Sequence, residues 1–173
     1  MPSAKIKGGD RALKFVANAK RTAQHTPASV EVGFYSTAKY PPYRTGINGG
    51  QKRVPQPVTN VAAWNEYGTR YIPERPFMRI AARIARNRAN SRAPSSLNPH
   101  GILRSGVDPK TMTISRRTAE LAGLAMASII QKTIRSLSQP PNAERTIKQK
   151  GSSNPLIDTG VLRQSVTHKI KYR

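Results

Sequence analysis

The side chains able to do chemistry are few and poorly grouped. Histidine occurs at His25, His100 and His168 alone, and there is no cysteine. The histidine spacing suits no metal ion, and the missing thiols exclude disulfides and thiolate zinc sites. No HExxH, GxSxG, P-loop or GxGxxG pattern is present. Glu66 and Glu74 flank a turn punctuated by glycine and proline, which could bring two carboxylates together. Ion pairs with Arg70 or Arg75 are the plainer expectation for them. Asp158, ahead of Thr159-Gly160, is placed to accept the N–H groups of Gly160 and Val161 and cap a short helix rather than to act as an acid or base. No catalytic residue, cofactor or metal site is expected, and an enzyme is not the reading these residues carry.

The chemistry that the chain has in quantity is positive charge. Thirty Lys and Arg face eight Asp and Glu, for a net charge of +22 over 173 residues. Charge on that scale strains an isolated compact monomer and attracts polyanions or acidic partners. Arg75, Arg79, Arg83 and Arg86 recur along one side of an expected helix, with no acid after Glu74 to neutralise them. Lys39, Arg44, Lys52 and Arg53, interleaved with Tyr40 and Tyr43, form a second basic group. Both groups are expected to face DNA phosphates or a partner. No helix-turn-helix, zinc-finger or RNA-binding signature offers a reader of base sequence, so a sequence-nonspecific nucleic-acid-binding protein is the alternative reading.

The elements that must position these residues are legible in outline. The length suits one domain, and 36% hydrophobic residues with 12 Gly and 14 Pro suggest a core with sizeable irregular segments. Asp10 can cap a helix over 10–22, with Leu13, Val16 and Ala17 on one face. Residues 29–35 alternate as a half-buried strand with Val30, Val32 and Phe34 inward. Residues 36–56 read as a basic, aromatic hairpin arm turning at Gly49-Gly50. A helix over 57–67 stops at Gly68, residues 69–73 are extended, and Pro76 opens a second helix ending near Arg86 or Asn87. Phe77, Ile80, Ala81 and Ile84 form its apolar stripe. Residues 87–113 read as an irregular insertion.

The longest helix is expected over 115–137. It has one broad apolar face, Ala119, Ala122, Met126, Ile129, Ile130 and Leu137, and a second, Leu121, Leu124 and Ala125, for packing on a sheet plus something else. After Pro140-Pro141, Asn142 can cap a short helix over 143–148. Residues 166–173 alternate as a last strand with a basic outer face. No secretory signal or membrane span is visible, and a soluble protein is expected. Val61, Trp64, Phe77 and Ile80 are expected to hold the fold while Arg75, Arg79 and Arg83 face outward.

Two blocks carry a family resemblance. Val61-Ala62-Ala63-Trp64-Asn65-Glu66-Tyr67-Gly68-Thr69, followed by Ile72-Pro73-Glu74-Arg75-Pro76-Phe77-Met78-Arg79, resembles a signature of bacteriophage virion morphogenesis and tail-completion proteins. Asn154-Pro155-Leu156-Ile157-Asp158-Thr159-Gly160-Val161-Leu162-Arg163-Gln164-Ser165-Val166 resembles that family's C-terminal Pro-Leu-x-Asp-Thr-Gly-x-Leu block. The resemblance makes Trp64, Glu66, Gly68, Pro73, Pro76, Phe77, Asp158 and Gly160 the motif residues. It implies a non-enzymatic structural protein of the virion neck in long-tailed phages, assembled in the host cytoplasm. Such proteins form a ring, a hexamer, at the head-proximal end of the tail, ending or completing the tail and joining it to the head. The implied partners are further copies of the chain, the tail tube protein and head–tail connector proteins. Double-stranded DNA would pass through the bore without base reading, and no membrane is involved.

The fold expected from all this is α+β, a single domain over 1–173. A small, mostly antiparallel sheet would be built from 29–35, 69–73, the 36–56 hairpin and 166–173, with the helices over 10–22 and 115–137 on one face.

Overall fold

One long helix organises the molecule, and the remaining elements are arranged by how they pack on it. The computed structural model describes residues 26–35, 39–40, 55–89 and 98–172. The helix expected over 10–22, and Arg44, Lys52 and Arg53 of the arm, lie outside them. In chain order the described elements are β1 (Pro27–Gly33), α1 (Val58–Tyr67), α2 (Phe77–Ala89), α3 (Pro99–Ser105), β2 (Val107–Asp108), β3 (Thr113–Ile114), α4 (Arg116–Ser136), α5 (Glu144–Lys150), α6 (Val161–Gln164) and β4 (Thr167–Tyr172). The fold class is α+β.

Helix α4 starts where its sequence says it should. The Ser115 hydroxyl accepts the N–H of Thr118 as an N-cap, and the helix runs to a C-cap at Leu137. Its broad face is buried at Ala119, Ala122, Ala127, Ile129, Ile130 and Ile134. That face packs against the β1–β4 ribbon on one side and α2 and α3 on the other. The second apolar face is left outward, with Leu121 and Leu124 exposed.

Strands β1 and β4 pair antiparallel, with Val30 opposite Ile170, Val32 opposite His168 and Glu31 opposite Lys169. The pleat therefore puts Val32 and His168 on one face and the charged pairs on the other. Gly123 lets α4 sit close against this ribbon, because a Cβ there would lie 2.6 Å from His168 Cδ2. On the opposite face Lys171 pairs with Glu31, and the Lys169 ammonium lies 3.9 Å from the centre of the Tyr35 ring. That face is basic, as its alternation predicts, with Glu31 neutralising part of it.

The core joins α1, α2, α4 and the C-terminal segment through Val58, Phe77, Ala81, Ile130, Ile134, Leu156 and Leu162, among others. Phe77 is fully buried and meets Phe34 edge-on at 6.0 Å. Truncating a buried phenylalanine to alanine costs about 3–5 kcal/mol. Ile80 and Ile84 pack against this cluster from α2, as the stripe requires.

The structure corrects several expectations. Residues 69–73 form no strand: the Thr69 hydroxyl accepts the N–H groups of Tyr71 and Ile72, and the Thr69 N–H donates to the Ile72 carbonyl. A threonine satisfying the backbone locally in this way closes a turn. The sheet loses that member, and its described core is a two-stranded ribbon. Helix α2 continues to Ala89, past the expected end. Within the expected irregular insertion, Asn98 caps α3 by accepting the Gly101 N–H and also donates to the Arg88 carbonyl at the end of α2. Strands β2 and β3 follow as a short hairpin. Asn142 does not cap α5, whose N-cap is Ala143 with no side-chain hydrogen bond.

Candidate interaction surface

The corner between α1 and α2 is held by a carboxylate that serves a different helix from its own. Helix α1 buries Val58, Ala62 and Glu66, a repeat of four residues that lays one line of side chains on the core. Glu66 Oε2 accepts the Met78 N–H at 2.8 Å, and Oε1 accepts the Arg79 N–H at 3.1 Å. These are N–H groups of the first turn of α2, which intrahelical bonding leaves without partners. Helix α2 has no acid in its own first turn, so Glu66 supplies both the acceptors and the negative charge from outside.

Gly68 makes the geometry possible. Its φ is +76°, and a Cβ there would lie 3.1 Å from the Glu74 N and 3.2 Å from the Ile72 O. Pro76 offers its carbonyl to the Ile80 N–H. Glu66 and Glu74 do converge, but on Arg79 rather than on Arg70 or Arg75. Arg79 Nε lies 3.0 Å from Glu66 Oε1, and its Nη2 meets Glu74. The two carboxylates hold the Arg79 guanidinium above its ordinary range, the Glu66 hydrogen bond contributing most.

Arg75 is the main correction. It is 4% exposed and cannot face a partner. Nε donates to the Pro140 carbonyl at 2.9 Å, and Nη2 donates to the Pro141 carbonyl at 3.1 Å and to Asn142 Oδ1 at 3.2 Å. Burial pushes this guanidinium below its ordinary range. Asn142 in turn donates to the Asn154 carbonyl at 3.3 Å, while Lys150 Nζ donates to the Asn154 and Pro155 carbonyls. The two sequence blocks, far apart in the chain, are thus bridged through Arg75, Asn142 and Asn154. Leu156 and Leu162 of the second block enter the same core as Phe77.

At the second block, the N-cap of α6 is Gly160 in the left-handed conformation, φ +79°, with no side-chain cap. Asp158 does not occupy the cap position; it is exposed and faces Tyr40 electrostatically. The Tyr40 phenol is pushed up to about 12, first by burial and then by Asp158. Tyr40 belongs to the base of the arm, where its N–H donates to the Gln56 carbonyl at 2.9 Å and Lys39 bridges antiparallel to Pro57.

The remaining predicted site residues divide by exposure. Arg83 and Arg86 lie on the outer side of α2, and Lys39 is exposed at the arm's base. Among the described residues neither Arg83 nor Arg86 has an ion pair. Trp64, expected in the core, is 38% exposed, because the buried line through Val58, Ala62 and Glu66 turns it outward. Tyr67 and Tyr71 are exposed as well, each with an arginine over its ring: Arg79 on Tyr67 and Arg70 on Tyr71. The sequence reading singles out neither tyrosine, although Tyr67 stands in the first block and Tyr71 between its two halves. Pro73 is exposed at the turn.

His168 is packed at Gly123, His100 is exposed on α3, and His25 lies outside the described residues. Among the described residues no three His, Asp or Glu side chains group as metal ligands, and no helix is long and apolar enough to cross a membrane. Comparison of the chain with protein-family models, curated proteins and solved structures found no match.

Proposed function

We propose that this chain is a structural protein of a long-tailed phage neck, forming a ring at the head-proximal end of the tail with DNA passing through its bore. The observation that supports this reading most is the bridge between the two signature blocks. Of the residues in the two blocks, Glu66, Gly68, Arg75, Phe77 and the 154–162 segment build a single corner, while Trp64, Pro73 and Asp158 are exposed.

Two further features suit a ring. The outward Leu121 and Leu124 of α4 offer a surface for neighbouring copies. The excess of exposed cations suits a bore that touches phosphate without reading bases. Negative-stain microscopy of the purified protein is expected to show closed rings with a central hole. Strictly monomeric particles at all concentrations would remove the reading.

A second reading, nonspecific nucleic-acid binding by the free protein, draws on Arg83 and Arg86. Strong salt-dependent binding to free duplex, with no ring and no partner protein, would favour it.

A further inference from the structure

Between α1 and α2 runs a groove of about 460 Å³, floored by Phe34, Ala62, Met78 and Ala82 and walled by Tyr67. The Glu66–Arg79 pair lies at its edge. Tyr67 is 74% exposed and Trp64, one turn back on α1, 38% exposed. Along α2, Arg79, Ala82 and Arg86 recur at helical spacing, so the arginines continue the side of α2 that lines the groove. Arg83 and Arg86 are exposed there with no carboxylate paired to them among the described residues.

We propose that this groove docks an acidic segment of another protein. Its apolar side chains would rest on Ala62, Met78 and Ala82, and its carboxylates would meet Arg83 and Arg86. Charge selects the occupant. A chain of +22 brings few carboxylates to those arginines, so a second copy is the poorer fit. Nucleic acid is the poorer fit for a different reason. The groove between the arginines is lined mainly by Phe34, Ala62, Ala63, Met78 and Ala82, apolar surface that suits the side chains of a peptide and gives a run of phosphates nothing to rest on. Exposed Trp and Tyr rimmed by Arg is the composition that dominates protein–protein binding energy. Glu66 and Gly68 set the α1–α2 corner beneath, and Arg79 already lies over the Tyr67 ring, which lowers the cost of ordering it. The inference does not rest on the neck reading, since ring formation is scored separately by microscopy.

Trp64 is the chain's only tryptophan and stands on α1 between the lining residues Ala63 and Glu66, so its fluorescence is a probe beside the groove. The probe is a synthetic amphipathic peptide with leucine on one face and glutamate on the other, added to the full-length protein at about 0.15 M salt. Binding is expected to shift Trp64 emission. Versions with serine for leucine, or glutamine for glutamate, are expected to bind about ten-fold more weakly or worse. Tyr67→Ala, at a position too exposed to affect folding, is expected to weaken binding about ten-fold, and Arg83→Gln/Arg86→Gln to weaken it and flatten its salt dependence.

Several results overturn the proposal. Equal binding by the serine version would reduce the effect to bulk charge. Displacement of the peptide by duplex DNA in a Tyr67-dependent manner would make the groove a nucleic-acid site. No binding by any peptide, with a concentration-dependent mass that Tyr67→Ala lowers, would assign the groove to a second copy. No binding by a protein monomeric throughout would refute the docking role outright.

Discussion

Replacing Glu66 with alanine tests the reading of the α1–α2 corner most sharply. The side chain is almost fully buried, and its two oxygens accept the N–H groups of Met78 at 2.8 Å and Arg79 at 3.1 Å. Each is a charge-assisted bond to a helix N-terminus, and losing its acceptor costs about 1.5 kcal/mol or more. Two of them amount to about 3 kcal/mol, before any cavity penalty and without counting the solvent-screened Arg79 guanidinium. For a chain of this size that corresponds to a fall of about 6–12 °C in Tm. Glu66→Gln keeps one carbonyl acceptor, and roughly half of the loss is expected. Thermal and urea unfolding followed by circular dichroism measures both, with the urea slope showing whether the native state stays compact. A Glu66→Ala protein within about 0.5 kcal/mol of the parent would refute the capping role, because surface substitutions alone fall in that range.

Three more expectations follow from the same geometry. Arg75→Lys replaces a planar fork serving four acceptors with a single ammonium, and about 2 kcal/mol of stability is expected to be lost in urea titration; an unchanged midpoint would contradict the tether. Tyr40 has its folded pKa raised from 10.0 to about 12, so the folded state holds a proton that the unfolded state releases. Its contribution is therefore complete below pH 10 and lost as pH rises from 10 to 12. Tyr40→Phe is expected to flatten that part of the stability–pH curve, and the ultraviolet titration of tyrosinate to lose a step near pH 12. Arg83→Gln/Arg86→Gln is expected to leave Tm within about 1 °C while lowering the salt dependence of binding to polyanions, read by calorimetry at several salt concentrations.

Much of the frame was legible because its signals are local. Ser115 and the spacing of Ala119, Ala122, Ile129 and Ile130 place α4 almost to the residue, since a cap and an apolar face are written within one turn of each other. The alternation in 29–35 and 166–173 likewise gives β1 and β4, though not their pairing. Gly68 and Pro76 mark the corner correctly.

What failed involves partners distant in sequence or choices between faces. Arg75 looks like a member of an arginine row, and nothing near it shows that its acceptors are the Pro140 and Pro141 carbonyls. Trp64 looks like core because it is large and apolar. The buried line through Val58, Ala62 and Glu66 excludes it, and only the role of Glu66 as a cap for α2 explains why a glutamate takes the inner position. Residues 69–73 look extended because Tyr71 and Ile72 favour strands, yet the Thr69 hydroxyl closes the backbone into a turn. The short α3 and the β2–β3 hairpin were hidden because their elements are too brief for periodicity to register.

Localisation in the intact virion tests the proposed role most directly. Cryo-electron microscopy of particles, with antibody labelling of this chain, is predicted to place a ring of its copies at the junction of head and tail, its bore in line with the DNA path. Virions that lack the chain altogether, or carry it elsewhere in the particle, would contradict the proposal.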